Sequence, residues 1–224
     1  MQEYFEKLRQ CMLFEGVADN NLQAMLRCLG ARVQHCKKGE IIMAEGEKAT
    51  HIGVLLSGSV QLVRMDYYGN RSIVANIRPP QLFGESFVCA EVQAMPVSTI
   101  ATEDCTILQI EGRRVLSPCC NVCDFHNRTV FNLMKIVATK NLLYHQKIEV
   151  TSKRTTREKL MTYLLLQEKE HGSSSFTIPF DRQELADFLE VERSGLSTEI
   201  GKLKKEGIIA CERSRFRLLT EKYS

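Results

Sequence analysis

From Asn121 to Ile148 the chain carries neither glycine nor proline. This constrains the fold more than any other feature, because without those breakers the run can wind as one uninterrupted helix. Val130, Leu133, Met134, Val137, Leu142 and Tyr144 recur mostly at three- and four-residue spacings, the repeat of one helical face. Phe131, Ile136 and Leu143 widen that face. The spacing predicts a helix of roughly seven turns at 3.6 residues each. A face this broad can pack on its own domain and on a partner helix at once. Dimerisation through it is therefore expected, with burial inside a single chain as the alternative.

The sequence changes character on either side of this run. Upstream, residues 3–14 and 19–29 read as helices, with Asp19 as a plausible N-cap. Beyond Ala31 come short runs such as "EIIMAEG", "HIGVLL", "SVQLVRM", "RSIVANI" and "CTILQIE". Gly39, Gly46, Ser57-Gly58 and Tyr68-Gly69-Asn70 separate them as turns. Short strands at such spacing predict an antiparallel barrel or sandwich, ending near Ser117-Pro118. Downstream, the polar Thr151-Ser152-Lys153-Arg154 reads as a linker. Thr155-x-x-Glu158 is a capping box that opens a helix closed by Gly172, and the strand "SFTIPF" follows.

Asp181-x-x-Glu184 opens a second helix, "RQELADFLE"; after a break at Glu190-Val191-Glu192 comes a third, "RSGLSTEIGKLKKEG". Leu185, Ala186 and Leu189 make one apolar face and Leu196, Ile200 and Leu203 the other, with Ala186 small where the two helices must cross. This is a helix-turn-helix pattern. "IIACERSRFRLL" then reads as a two-stranded wing with Arg213, Arg215 and Arg217 at period two. Arg193, Ser194, Ser197 and Thr198 fall near the outward N-terminal part of the third helix, the part that enters the major groove in such modules. Arginine can take guanine O6 and N7 together, and serine and threonine are less selective. Lys202, Lys204, Lys205 and the wing arginines suit phosphate contacts. Glu192 is a poor cap, and Gly195 costs about 1 kcal/mol against alanine within a helix. The competing reading is a protein-interaction domain with a solvated basic face.

Two further stretches carry possible chemistry. In "QLFGESFVCAEVQAMPVSTIA" a strand-like run stops at Phe83-Gly84-Glu85 and a short helix begins. A glycine opening a helix lets backbone N–H groups meet an anion, yet no lysine or arginine lies between Gln81 and Ala101. In "LSPCCNVCDFH", Cys119, Cys120, Cys123 and His126 stand at helical-neighbour spacings. Three soft ligands and an imidazole could take an iron–sulfur cluster, zinc or haem; packing at a tight corner is the plainer reading.

Composition sets outer limits. The chain has 224 residues, is 44% hydrophobic and carries a formal charge of +3, so a sizeable core is expected and no partner follows from net charge. Residues 1–148 hold 16 basic and 14 acidic side chains, and 149–224 hold 14 and 13, so any nucleic-acid signal lies in placement. No apolar run approaches the ~20 residues of a membrane span, and "MQEYFEKLRQ" has no apolar signal core; a cytoplasmic protein without membrane contact is expected. Nine cysteines in a reducing compartment are not expected to form a disulfide framework. The five histidines are dispersed, and no nucleophile motif or Walker or Rossmann loop is present, so no catalytic residue is expected.

A helical lead, a glycine-punctuated barrel, a long helix and a winged helix-turn-helix, in that order, resemble the CRP/FNR family of bacterial transcription regulators over nearly the whole chain. "KKGEIIMAEGEKATHIGVLLSGSVQLV" is similar to the family's first barrel strands, "FGES" to its effector turn, and "DRQELADFLEVERSGLSTEIGKLKKEGII" to its DNA-binding unit. The resemblance implies an α+β chain: an N-terminal antiparallel β-barrel or jelly roll of the cyclic-nucleotide-binding kind over 1–118, a dimerisation helix and hinge over 119–150, and a winged helix-turn-helix over 151–224. It implies a homodimer on a palindromic duplex, a small-molecule effector and contact with RNA polymerase. In cyclic-AMP-responsive members a Gly-Glu pair holds the ribose and a later Arg-Ser holds the cyclic phosphate. Gly84 and Glu85 match and Ser86 follows, but Met95 and Pro96 stand where Arg-Ser belongs. The expected effector is therefore a small metabolite or a redox signal, not cyclic AMP; if a cyclic phosphate did bind, Arg78 or Arg128 would have to supply the cation. Where the family often shows Arg, Glu and Arg in the recognition helix, this chain has Arg193, Ser194 and Thr198. A non-DNA ligand-binding module acting through a protein partner is the alternative function.

Overall fold

A computed structural model describes residues 2–117 and 124–219. Its contacts divide the chain within the long helix, into 1–141 and 142–224. No helix among the described residues is long and apolar enough to cross a membrane.

In the first unit, α1 (Phe5–Gln10) and α2 (Asp19–Cys28) lead into eight strands: β1 (Arg32–Cys36), β2 (Ile41–Met43), β3 (His51–Ser57), β4 (Val60–Met65), β5 (Arg71–Ile77), β6 (Leu82–Phe83), β7 (Ser98–Ala101) and β8 (Cys105–Glu111). α3 (Glu85–Cys89) lies between β6 and β7, α4 (Gly112–Leu116) follows β8, and α5 (Asp124–Thr151) begins after the undescribed segment. The strands form two antiparallel four-stranded sheets, β1-β8-β3-β6 and β2-β7-β4-β5, the jelly-roll arrangement expected. Period-two alternation assigns the strand residues to opposite faces. Leu55 and Ile107 join Val60, Leu62 and Ile77 in the core between the sheets. Ile52, Val54, Leu56, Leu108 and Ile110 face the other way, packing with α2, Val88 of α3, Val115 of α4 and Leu133 and Ile136 of α5. The sheet β1-β8-β3-β6 thus has helices on one side and strands on the other, and five consecutive residues of β3 are buried.

Three expectations need correction. Asp19 is the first helical residue and not the cap; Ala18 holds the N-cap position without a side-chain bond. Both Asp19 carboxylate oxygens instead accept from Arg9 at 2.9 Å. The lead helix breaks at Cys11, whose extended backbone separates α1 from a short 3₁₀ turn at Met12–Phe14. Arg213 sits at φ 50° in the turn between the wing strands, so it does not share a strand face with Arg215 and Arg217.

In the second unit, α6 (Thr156–His171), β9 (Ser175–Thr177), α7 (Arg182–Leu189), α8 (Arg193–Lys205), β10 (Ile209–Glu212) and β11 (Arg215–Leu218) follow one another. The two capping boxes form as read, at Thr155/Glu158 and Asp181/Glu184, and Gly172 closes α6. Backbone and side-chain bonds from Thr155 hold the Glu158 carboxyl below its ordinary pKa. Leu160, Leu164, Leu185, Ala186, Leu189, Leu196 and Leu203 are fully buried, joined by Phe216 of the wing. β10, β11 and β9 form an antiparallel three-stranded sheet.

Candidate nucleic-acid interface and effector turn

The break between α7 and α8 is made by Glu190 in the left-handed region at φ 55°. Lys159 of α6 donates to the carbonyls of Leu189 and Glu190, both at 3.2 Å, and so satisfies the end of α7. α8 is then fixed by its buried stripe of Leu196, Ile200 and Leu203, while Arg157 of α6 bonds Glu206 and Glu199. The Arg157 bond pulls the Glu206 carboxyl below its ordinary pKa. The wing is tied back by Arg182, which donates to Arg213 O at 3.3 Å and lies over the Phe216 ring, and by Ser214 donating to Phe180 O at 3.0 Å.

The outward side chains of α8 are largely basic or hydroxyl-bearing, and the wing adds three arginines beside an exposed Glu212. Arg193, Ser194, Ser197, Thr198, Lys202, Lys204, Lys205, Arg213, Arg215 and Arg217 are all exposed. Thr198 donates to Ser194 O at 3.0 Å, so its methyl and lone pairs face outward rather than its proton. Lys202 is 3.3 Å from Glu199, and Lys204 reaches Cys211 O at 3.4 Å. No side chain caps the N-terminus of α8, which leaves its first amides for a phosphate. Every residue singled out for DNA is thus on one module, and the one acidic residue of α8, Glu199, lies between Arg157 and Lys202.

The candidate effector turn is built differently. Gly84 caps α3 at φ 81°, a left-handed conformation that glycine adopts without strain, and a Cβ there would come within 3.1 Å of Met43. This turn carries Glu85 inward until it is only 2% exposed. One carboxylate oxygen accepts from Lys140 Nζ at 2.8 Å and from Ser86 Oγ at 3.3 Å; the other, Oε2, has no hydrogen-bond partner. Lys140 also donates to Leu82 O. The two arginines considered as cations lie elsewhere: Arg78 pairs with Glu103 at 3.8 Å, and the Arg128 guanidinium lies beside Gly16. Met95 is buried among the helix-side core residues and Pro96 is exposed, so these two do not line the turn together.

Lys140 was not legible as a site residue. A signal existed: it stands four residues after Ile136 and seven after Leu133, both buried, and so interrupts the inward stripe of α5. Cys119, Cys120 and Cys123 lie outside the described residues, and among the described ones no group of three possible ligands could hold a metal. His126 is described. It is 5% exposed, its Nε2 is 3.1 Å from Val115 O, and its Nδ1 has no partner. A carbonyl only accepts, so Nε2 is the donor of this bond.

Residues 33–119 match the cyclic nucleotide-binding domain family, and residues 158–222 match the Crp-like helix-turn-helix domain family. The nitrogen fixation regulation protein FixK of Rhizobium meliloti is 26% identical over 180 residues, 80% of this chain and 78% of that protein. The transcriptional activator protein FnrA of Stutzerimonas stutzeri is 22% identical over 193 residues, 82% of this chain and 75% of that one. Among solved structures, the c-di-GMP-responsive global regulator CLP of Xanthomonas campestris aligns with a TM-score of 0.73 at 14% identity, covering 91% of this chain and all of that one.

Proposed function

The chain belongs to the CRP/FNR family of transcription regulators, and from that premise we propose that it acts as a homodimer reading a palindromic duplex under control of a signal other than cyclic AMP. Family membership makes it a DNA-binding regulator and not an enzyme. The observation that carries the reading is the outward face of α8, where Arg193, Ser194, Ser197 and Thr198 are exposed ahead of Lys202 and Lys204. The first four are placed to read base edges, the lysines with Arg213 and Arg215 to hold phosphates. A protein-partner surface would present apolar side chains at these positions, which argues against the non-DNA alternative.

Dimerisation is supported by α5. Phe131, Met134, Leu142, Leu143 and Ile148 are each more than half exposed, although Leu133 and Ile136 of the same helix are buried. A second copy of α5 is the economical cover for such a face. In this reading residues 1–118 sense, 119–150 join the protomers and act as the hinge, and 151–224 bind DNA, with RNA polymerase as the downstream partner. An effector need only favour the placement that puts the two copies of α8 about 34 Å apart. Selection of bound duplexes from a random library tests this: an enriched inverted repeat is the expected result, and a library returned without any enriched half-site defeats it.

For the signal, the Glu85–Lys140 pair supports a neutral or weakly acidic metabolite, since the turn is already charge-balanced. A second reading is favoured by His126 alone: its unpartnered Nδ1 is a ready ligand, and Cys119, Cys120 and Cys123 precede it closely in sequence. Together they would hold an iron–sulfur cluster, zinc or haem. Metal analysis and absorbance of anaerobically purified protein decide between the two. Stoichiometric metal lost on Cys123→Ser supports the cysteine site; metal-free protein removes it.

A further inference from the structure

Cys36 ends β1 and Cys105 begins β8, and the two are directly opposed in the antiparallel ladder. Opposed antiparallel residues have Cα atoms about 4.5 or 5.5 Å apart, inside the roughly 4.4–6.8 Å span of disulfides. Both side chains point into the core between the sheets, and their thiols are in hydrogen-bonding contact. The register cannot slip easily, because it is pinned on both sides. His35 Nδ1 lies 3.2 Å from Thr106 Oγ1 on one side; on the other, Lys37 Nζ is 2.8 Å from Asp104, whose second oxygen accepts from Lys38 N at 3.0 Å. Gly58, at φ 82°, lets the chain pass so near that a Cβ there would come within 2.7 Å of Cys105 Cβ. A cavity of about 290 Å³ opens beside the pair, lined by His35, Cys36, Lys37, Asp104, Cys105 and Thr106. Both cysteines are free thiols in this structure.

We propose that Cys36 and Cys105 are a reversible dithiol–disulfide site, oxidised by a hydroperoxide and restored by a low-molecular-weight thiol. One thiol loses its proton and attacks the peroxide. The O–O bond breaks, the alcohol (water, for hydrogen peroxide) leaves, and a sulfenic acid remains. The opposed thiol then displaces the sulfenic oxygen as water and the S–S bond forms. Two thiols lose two electrons and two protons, and the peroxide is reduced to one alcohol and one water. The cross-link closes the segment that carries Gly84 and Glu85, tying the barrel's first strand to its last. The proposal rests on the barrel alone and stands or falls apart from the DNA reading.

The reaction is slow near neutrality, because the thiolate is the nucleophile and burial, with Cys105 and Glu40 adding to it, pushes the Cys36 thiol up to about 12. Burial likewise raises Cys105. The test uses the full chain, reduced, exposed to hydrogen peroxide, quenched with N-ethylmaleimide and mapped by peptide mass spectrometry without reductant. The expected product is a cross-linked pair of peptides containing Cys36 and Cys105, lacking two hydrogens and reverting with dithiothreitol. Its rate of formation should rise about tenfold per pH unit through the neutral range. Cys36→Ser should abolish the product. Recovery of both cysteines as maleimide adducts or as separate sulfinic acids, or cross-links from either to another cysteine, overturns the proposal. The wild-type map decides even if Cys36→Ser folds poorly.

Discussion

The turn at Glu85 and the outward face of α8 both present charge that needs a partner, and the chain treats them in opposite ways. At the turn, the carboxylate is 2% exposed and the chain brings its own cation, Lys140, to 2.8 Å. On α8, Arg193, Lys204 and the wing arginines stay in water, while Glu199, the one acidic side chain of the helix, is shared between Arg157 and Lys202. A buried charge must be paired internally because desolvation is costly. An exposed one can wait for a ligand with its own charges. The first site resists an ionic ligand and the second invites one.

The largest effect should come from breaking the internal pair. Lys140→Met leaves the Glu85 carboxylate buried without a counter-charge, at a cost of about 3–5 kcal/mol. The loss should appear in the denaturant midpoint of the first unit. Glu85→Gln added to Lys140→Met should restore most of it, because no buried charge remains. A single variant as stable as wild type, or a double variant no better than the single, would show that the pair does not hold the turn.

Arg193→Ala comes next. It should weaken binding to the selected duplex by about 1–3 kcal/mol and relax one base position in each half-site, read by repeating the selection with the variant. Uniform weakening across all sequences would move Arg193 from the reading group to the phosphate group. Unchanged affinity would remove it from the interface.

The same contrast explains what the sequence made legible. Periodic features transfer well: "HIGVLL", "SVQLVRM", "RSIVANI" and "CTILQIE" lie on β3, β4, β5 and β8, and both capping boxes form. The exposed residues of α8 also keep the placement that helix periodicity dictates. Even the two-residue β6 lies on the strand-like run read as stopping at Phe83. Two other elements were illegible. β1, "RVQHC", is a polar strand whose burial pattern is mostly intermediate or exposed, so it lacks a strong alternating signal. α4 is a single turn entered from a strand. The Glu85–Lys140 pair was missed for another reason: its members are 55 positions apart, and only the packing of α5 against the barrel brings them together.

A smaller effect should follow at Lys204. Its ammonium reaches Cys211 O in the wing, where it can also face a phosphate. Lys204→Ala should lower affinity for all duplexes alike, with the slope of log K against log salt shallower by about one. A sequence-selective loss would instead make Lys204 a base reader.

The smallest expected effect is that of cyclic AMP. Its phosphate would need a cation at the turn, and the only one in contact with Glu85 among the described residues is Lys140. Recruiting Lys140 strands Glu85, so binding must offset about 3–5 kcal/mol, roughly two to four orders of magnitude in affinity. Val97, buried in the core between the sheets, supplies no replacement. Calorimetric titration with cyclic AMP and with cyclic GMP should therefore show weak binding or none, and operator affinity should not change. Micromolar binding that tightens the operator complex would overturn this, and Lys140→Met would then reveal the cause. Loss of nucleotide binding in that variant would mean that Lys140 had moved from Glu85 to the phosphate, making the internal pair a latch that the nucleotide opens.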